Sequence, residues 1–355
     1  MKNVKMKKIG QFREIVSTIN RTANFVGLDD DGEAIYDNTK VKPTLTFKGT
    51  TKLHGTNASV CLHKDEIYAQ KKSGKITIEK DNYGFAFFVE SNKDHFKELL
   101  KEIAKRANVN TDENILTYYG EWAGTGIQKA VAISNIEKSF FGFGVKITPI
   151  TNSEDNEQNS YWLDSDIFGD LKASDRRIYN LHMFKTYEVD VNFESPLTLG
   201  KAQELFEKLT LEVEAECPVA KEFGHEGIGE GIVWTCEYND SYLMFKTKGD
   251  KHSVSKVKKV ASINVEKLKS IEEFVQYAST KNRFEQALGE VFGKDEPVIN
   301  KLGDLIRWVI NDINSEEIDT LVENGLEPKD VNKYISKDVR DRFMKYLDEL
   351  QFGKN

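Results

Sequence analysis

The sequence predicts an α+β protein in two parts: a large domain of mostly antiparallel sheet with flanking helices, and a small all-helical domain after it. Short runs rich in β-branched and aromatic residues dominate up to about residue 255. From about residue 262, apolar residues recur at helical spacing instead. The chain has 355 residues, 39% of them hydrophobic, which is enough for two cores. We therefore expect a large domain at 1–255, a linker at 256–261 and a helical domain at 262–355.

The strands of the large domain are predicted from apolar runs that have turn or loop residues nearby. Apolar residues at helical spacing predict two helical stretches among them, at 85–107 and 199–213. The polar segment 151–160 is predicted as a loop. The predicted strands are 43–48, 58–63, 66–70, 116–122, 140–147, 231–236 and 242–247.

The helices of the second domain are predicted from three apolar stripes. Ser336 precedes the third stripe and is predicted as the N-cap of the last helix. The first stripe is Ile271, Phe274, Val275 and Ala278, the second is Ile299, Leu302, Leu305, Ile306, Val309, Ile310 and Ile313, and the third is Val339, Phe343, Tyr346, Leu347 and Leu350.

Composition excludes several classes of protein. The three cysteines have no Cys-x-x-Cys spacing, which argues against a disulfide framework or a zinc site and favours the reducing cytoplasm. No apolar run is long enough to cross a membrane. The formal charge of −8 by itself disfavours nucleic acid, but 240–260 holds six lysines against two aspartates, a local charge of +4. This lysine-rich stretch is either a solvated face or a surface for an anionic partner.

Lys52 is a candidate nucleophile in the stretch TTKLHGTNASV, which begins at residue 50. A lysine amine attacks only when neutral, and its reference pKa of about 10.4 keeps it protonated at pH 7. Desolvation and neighbouring cations both lower such a pKa. Lys246 and Lys248 lie two residues apart on a predicted strand, so both project from one face. Two cations directed at one place also suit a phosphate, although a Lys-x-Lys pair alone is commonly a surface feature.

Two glutamates lie beside glycines, and glycine allows the backbone to approach a ligand closely. Glu121 ends a predicted strand before a glycine-containing turn, and Glu230 stands between two glycines before another strand. A carboxylate so placed suits a ribose hydroxyl or a hard cation such as Mg²⁺, and an ordinary exposed glutamate is the alternative. Phe140 lies in an aromatic run in which some rings belong to the core and one could stack on a base.

Taken in order, these motifs resemble those of the covalent nucleotidyltransferase superfamily of ATP-dependent ligases and capping enzymes. The stretches KLHGTN, GEWAGTGIQKAV and FKTKGDKHSVSK are similar to those of the RNA ligase 2 family. The resemblance spans about residues 44–256 and is thin from 148 to 220. It implies an adenylyltransferase domain in which Lys52 attacks the α-phosphorus of ATP and forms lysyl-AMP.

The resemblance also implies roles for the surrounding residues. Glu121 would hold the ribose, Phe140 would stack on adenine, and Glu230 would lie near the metal and the α-phosphate. Lys246 and Lys248 would contact that phosphate and help activate Lys52. The other residues implied at the nucleotide site are Thr51, Leu53, His54, Gly55, Asn57 and Lys72, the last standing where the family has an arginine.

The implied activity is ATP-dependent sealing of RNA ends that carry a 3′-hydroxyl and a 5′-phosphate, through lysyl-AMP and an RNA-adenylate. Mg²⁺ is the implied metal, with Mn²⁺ as a substitute, and nicked duplex RNA is the expected partner, with no membrane and no obligate protein partner. The helical domain favours this arrangement over DNA ligases and capping enzymes, which carry a β-rich domain at that place. Those sister enzymes and an inactive nucleic-acid-binding protein are the alternatives.

Overall fold

The computed structural model describes most of the chain as two compact units, Met1–Gly249 and Asp250–Asn355. The predicted linker 256–261 and the lysines within it lie outside the described residues. No helix in the described part of the chain is long and apolar enough to cross a membrane. The described residues are 4, 6, 9–29, 32–37, 39–150, 159–239, 241–249, 251, 271–293, 295–323 and 326–352.

The first unit combines helices with antiparallel strands, as the sequence predicts. Its strands are β1 (Phe25–Leu28), β2 (Ala34–Tyr36), β3 (Thr44–Lys52), β4 (Thr56–His63), β5 (Glu66–Lys71), β6 (Gly74–Lys75), β7 (Asn114–Ala123), β8 (Ser139–Pro149), β9 (Tyr161–Trp162), β10 (Ile178–Asn180), β11 (Thr186–Asn192), β12 (Gly231–Tyr238) and β13 (Ser241–Lys248). Its helices are α1 (Phe12–Asn24), α2 (Phe85–Ser91), α3 (Lys93–Arg106), α4 (Ser165–Phe168), α5 (Pro196–Ala215) and α6 (Pro218–Glu222). The predicted helical stretch 85–107 is thus two helices, which meet at Asn92.

Two sheets organise this unit, beside the separate hairpin of β1 and β2. The large sheet has the strand order β10-β8-β7-β4-β5-β6, with β9 paired to β8. The small sheet has the order β11-β3-β12-β13. All pairs in these two sheets are antiparallel except β10 with β8. Because β3 lies in the small sheet and β4 in the large one, the short turn between them joins the sheets directly after Lys52.

Alternation along β4 decides which of its side chains enter the core. Ala58, Val60 and Leu62 are fully buried in one cluster with Phe85 and Phe96 of the helices α2 and α3. Since successive side chains of a strand point to opposite faces, Asn57 projects from the other face of the large sheet. One face of this sheet is therefore covered by α2 and α3, and the other carries Asn57 at one end and a second buried cluster that includes Cys61.

The small sheet shows the same division. Phe47 on β3 is fully buried and contacts the rings of Phe206 from α5 and Phe245 from β13 at centroid distances of 6.3 and 5.4 Å. Lys48, Thr50 and Lys52 therefore project from the opposite face by the two-residue period of the strand. Burial of the aromatic face thus directs Lys52 away from the helices.

The second unit is all helical in its described residues. Its core includes Phe274, Val309, Ile335 and Phe343. Arg283 is fully buried and pairs with Glu317, also fully buried, at 3.4 Å and with Asp312 at 2.8 Å. Its helices are α7 (Ile271–Ala278), α8 (Lys281–Phe292), α9 (Leu302–Glu316), α10 (Ile318–Glu323) and α11 (Pro328–Phe352).

The prediction that Ser336 begins the last helix is wrong. Helix α11 begins at Pro328, and Ser336 lies inside it. Its hydroxyl donates a hydrogen bond to the carbonyl oxygen of Asn332, four residues earlier, at 2.7 Å. Serine is accommodated within a helix by this bond, so the residue type alone did not identify a helix start.

Candidate active site

The end of β3 places Lys52 beside β12. Lys52 pairs across the small sheet with Gly231, the residue after Glu230. Gly231 has a φ of +154°, and a Cβ there would lie 2.1 Å from the carbonyl oxygen of Thr247. Only glycine fits such a position, and the neighbouring carboxylate is thereby brought next to the Lys52 amine.

Glu230 is the centre of the site. Its side chain is only 2% exposed, and its Oε2 lies 2.7 Å from Nζ of Lys52 and 3.1 Å from Nδ1 of His54. Its Oε1 lies 3.1 Å from Nζ of Lys248. One buried carboxylate therefore joins the predicted nucleophile to one of the two predicted phosphate-binding lysines.

In this cluster one buried carboxylate faces two lysines. Burial by itself raises the pKa of Glu230, but Lys52, Lys248 and the hydrogen bond from His54 together hold that pKa well below its ordinary value. Glu230 is therefore ionised at neutral pH, and both lysines retain a counter-ion. In this arrangement the carboxylate stabilises the ammonium form of Lys52, whereas attack on phosphorus requires the neutral amine.

Glu121 approaches from the large sheet. Its Oε1 accepts a hydrogen bond from the backbone N–H of Gly55 at 3.0 Å. A Cβ at Gly55 would lie 2.4 Å from the carbonyl oxygen of Trp122, so the turn after Lys52 packs against β7 only with glycine. Burial raises the pKa of Glu121 to about 7, with Lys52 opposing the rise and Glu230 adding to it. The group thus titrates near neutral pH and lies within electrostatic reach of Lys52.

Lys246 and Lys248 project from one face of β13, as the sequence predicts. They pair across the sheet with Val233 and Gly231. Lys248 reaches Glu230, and the backbone N–H of Lys246 donates to the carbonyl oxygen of Gly10 at 3.2 Å. The edge strand of the small sheet is therefore in contact with the N-terminal part of the chain.

The remaining predicted site residues differ in whether they lie near Glu121, in the core or at the surface. Asn57 pairs with Glu121 across β4 and β7, so the two share a face. Thr51 and Leu53 flank the nucleophile and are almost fully buried, Leu53 in an apolar cluster. Lys72 is exposed at the turn between β5 and β6, and no ion pair joins it to the described carboxylates of the site.

The expectation that Phe140 stacks on adenine is corrected by the register of β7 and β8. Phe140 pairs with Trp122, whereas Phe141 pairs with Glu121. Phe140 is fully buried in the helix-covered core, where its ring stacks on Phe85 at 5.5 Å. Its ring therefore lies on the opposite face of the sheet from Glu121, and Phe141 is the ring on the site face.

A divalent cation would find one suitable kind of donor here. Glu230 offers carboxylate oxygens, the ligands that Mg²⁺ prefers. The described residues contain no group of three or more His, Cys, Asp or Glu side chains that could hold a metal. The side chains thus fit a cation that arrives with phosphate oxygens and water, rather than one enclosed by protein ligands alone.

The contact of the N-terminal segment with the site was not predicted from the sequence. The N–H of Asn57 Nδ2 is directed at Sδ of Met6 at 3.2 Å, and Gly10 pairs with Phe245 of β13. Neither Met6 nor Gly10 belongs to a recognisable motif, and the start MKNVKMKKIGQF has too few apolar residues to show a strand period. No local signal would have placed this segment beside the site.

Comparison with known families agrees with the motif order. The RNA ligase family model matches residues 46–260, which is more than half of the chain. The match includes β3 from Thr46 onward and all of Lys52, Glu121, Glu230 and Lys248. The chain belongs to the RNA ligase family.

Solved structures of an RNA ligase from Naegleria gruberi are similar to this chain at low identity. A variant with AMP and Mn is 13% identical with a TM-score of 0.40, and a variant with ATP and Mn is 14% identical with a TM-score of 0.40. The same ligase with PPi is 13% identical with a TM-score of 0.40. Each match covers 70% of this chain and 56% of the Naegleria chain, so this chain spans little more than half of that protein's length.

Proposed function

We propose that the chain is an ATP-dependent RNA ligase that seals RNA ends through a lysyl-AMP on Lys52. The observation that carries the proposal is the buried Glu230 carboxylate, with Nζ of Lys52 at 2.7 Å and Nζ of Lys248 at 3.1 Å. The two oxygens of this carboxylate thereby hold the proposed nucleophile, Lys52, and the proposed phosphate-binding cation, Lys248, close to each other. Membership of the RNA ligase family supplies the substrate class.

In the first step, the neutral amine of Lys52 attacks the α-phosphorus of ATP. A nitrogen–phosphorus bond forms, the bond to the bridging oxygen breaks, and pyrophosphate leaves with the electron pair. Lys248 is placed to neutralise the charge that develops on the α-phosphate oxygens. Catalysis of this kind is mostly positioning and charge stabilisation.

Before that attack, the ammonium of Lys52, whose side chain is 20% exposed, must release a proton to water and give up its contact with Glu230. A second proton leaves the nitrogen for water once the nitrogen–phosphorus bond has formed. The approach of ATP phosphates to Lys248 and His54 would redistribute the charges around Glu230 and weaken its hold on Lys52. When bound, Mg²⁺, or Mn²⁺ in its place, would be held by Glu230 and the ATP phosphates and would supply positive charge there. Glu121 lies near enough to influence Lys52 and is the candidate partner for the ribose.

In the two later steps, a 5′-phosphate oxygen of RNA attacks the phosphorus of lysyl-AMP, and Lys52 leaves. A 3′-hydroxyl then attacks the RNA-adenylate, forming the phosphodiester and releasing AMP. In this proposal Lys246 and Lys248 contact the reacting phosphate in each step. We propose nicked duplex RNA as the preferred substrate, with the helical unit engaging the duplex.

The decisive experiment is labelling with α-³²P-ATP and Mg²⁺. We expect the parent protein to retain label covalently and to release it to acid, since a phosphoramidate is acid-labile. Lys52→Ala should show no label. Lys48→Ala removes an exposed lysine on the same face of the same strand and serves as the matched control, with label retained. Label on Lys52→Ala, or none on the parent, would refute the proposal.

Substrate class is tested on the same preparation. Labelled GTP should give no adduct, which separates a ligase from a capping enzyme. Nicked duplexes with RNA or DNA strands on either side of the nick should be joined when the ends are RNA. Faster joining of all-DNA nicks would instead identify a DNA ligase. Label without any joining of RNA or DNA ends would contradict the ligase assignment itself.

A further inference from the structure

The N-terminal segment is anchored to the large sheet at Val4. Its side chain is 6% exposed and lies in a cluster with Cys61, Tyr68 and other buried residues. Its N–H donates to Oε1 of Gln70 at 3.2 Å, and its carbonyl oxygen accepts from the hydroxyl of Tyr119 at 3.3 Å. Gln70 and Tyr119 are each 1% exposed, so the backbone of Val4 satisfies two buried polar groups.

Six residues later the same segment is bound to the small sheet. The N–H of Gly10 donates to the carbonyl oxygen of Met244 at 3.3 Å, and the N–H of Lys246 donates to the carbonyl oxygen of Gly10 at 3.2 Å. The two attachments thus join Val4 to the large sheet and Gly10 to the edge strand of the small one. Gly10 contacts Lys246 and Met6 contacts Asn57, two residues of the candidate site.

Met6 lies between the two attachments and contacts Asn57. The distance from Nδ2 of Asn57 to Sδ of Met6 is 3.2 Å. A thioether sulfur can accept a hydrogen bond but has no proton to donate. The amide nitrogen of Asn57, rather than its oxygen, must therefore face Met6. Among the residues that the structure describes, Oδ1 of Asn57 has no hydrogen-bond partner.

We infer that Met6 is a positioning residue that makes Asn57 present its carbonyl oxygen, a pure acceptor, to the substrate. An acceptor recognises a hydroxyl and repels a phosphate oxygen. Asn57 is the cross-strand neighbour of Glu121, so the recognised hydroxyl belongs to a ribose near that carboxylate. That ribose is either the one in ATP or the one at an RNA end. The inference rests on the proposed function and adds the hydroxyl selectivity to it.

The test compares loss of a hydroxyl in the substrate with loss of the sulfur in Met6. One arm measures binding and lysyl-AMP formation with ATP and with its 2′-deoxy and 3′-deoxy analogues. The other measures binding and joining of nicks whose terminal riboses carry or lack the 2′-hydroxyl. In the parent, loss of the recognised hydroxyl should lower affinity or rate about tenfold, which corresponds to the loss of one hydrogen bond of about 1.4 kcal/mol.

Met6→Leu keeps the volume of the side chain but removes the acceptor, so the Asn57 amide can rotate and exchange the positions of Oδ1 and Nδ2. We expect loss of the hydroxyl to change affinity or rate by less than about twofold in this variant. The comparison is made in the same set of measurements in which the parent loses about tenfold. Met344→Leu, at an exposed methionine of the second unit, should behave as the parent.

Two results would overturn the inference: a parent that is indifferent to every hydroxyl, or a Met6→Leu variant that keeps the parent's penalty. A purely structural role for Met6 would lower all rates without changing their ratio. The binding measurements need no chemistry, so a parent that discriminates hydroxyls in binding but carries no covalent label would refute the proposed function alone.

Discussion

Replacing Glu230 by glutamine tests whether this carboxylate is what holds the site together. The change is nearly isosteric but removes the charge that Lys52 and Lys248 share at 2.7 and 3.1 Å. Breaking a buried ion pair by removing one partner costs about 3 to 5 kcal/mol. Because the two lysines remain 20% and 16% exposed, water offsets part of this cost, and we expect a loss at or below the lower limit, about 2 to 3 kcal/mol.

Urea unfolding followed by tryptophan fluorescence is the assay, since Trp122, Trp162 and Trp234 lie in the first unit and one tryptophan lies in the second. Glu237→Gln is the matched control, at an exposed position of β12, the strand that follows Glu230. A Glu230→Gln protein within about 0.5 kcal/mol of the parent, the range of ordinary surface changes, would refute the reasoning.

The pH dependence of the same comparison has a defined sign. The pKa of Glu230 is depressed in the folded protein relative to its ordinary 4.5. Its contribution to stability is therefore complete above pH 4.5 and is lost as the pH falls through the folded pKa. The part of the difference between parent and Glu230→Gln that comes from the Glu230 charge should shrink as the pH falls below 4.5. A difference that grows in acid would contradict the assigned charge state.

Three further perturbations follow from the packing and the charges. Gly55→Ala should cost about 1 to 3 kcal/mol and reduce lysyl-AMP formation, because its Cβ would meet a carbonyl oxygen at 2.4 Å. Glu121→Gln should remove a fall in stability between pH 4.5 and about 7, over which the folded carboxyl keeps a proton that the unfolded one releases. Arg283→Met should destabilise the helical unit by about 3 to 5 kcal/mol, because it removes the cation that pairs with the buried carboxylate of Glu317.

Each of these three has its own control. Gly303→Ala, inside α9 with open space around the added Cβ, should be neutral or stabilising in the same unfolding assay. The parent measured across pH 5 to 8 provides the slope that Glu121→Gln must flatten, and an unchanged slope would contradict the raised pKa. Arg307→Met, at an exposed arginine of α9, should change the melting temperature little, and equal losses for Arg283 and Arg307 would contradict the role of burial.

Much of the first unit could be predicted from local pattern, because its signals are local. Each predicted strand overlaps an observed one, and the two-residue period correctly placed Lys246 and Lys248 on one face. The break at Asn92 was not predicted, since the apolar residues on either side keep a nearly continuous helical spacing. Ser336 was misread because an N-cap and a mid-helix serine differ only in what lies around them.

By itself, the sequence determined the motif order, and with it the family and the identity of the residues that could carry the chemistry. Tertiary structure alone decided which of them meet. The face on which Phe140 lies depends on the register of β8 against β7, which includes a bulge between Tyr119 and Gly120. The contact of Met6 with Asn57 joins residues 51 positions apart. Such contacts depend on packing over both sheets, so no short stretch of sequence predicts them.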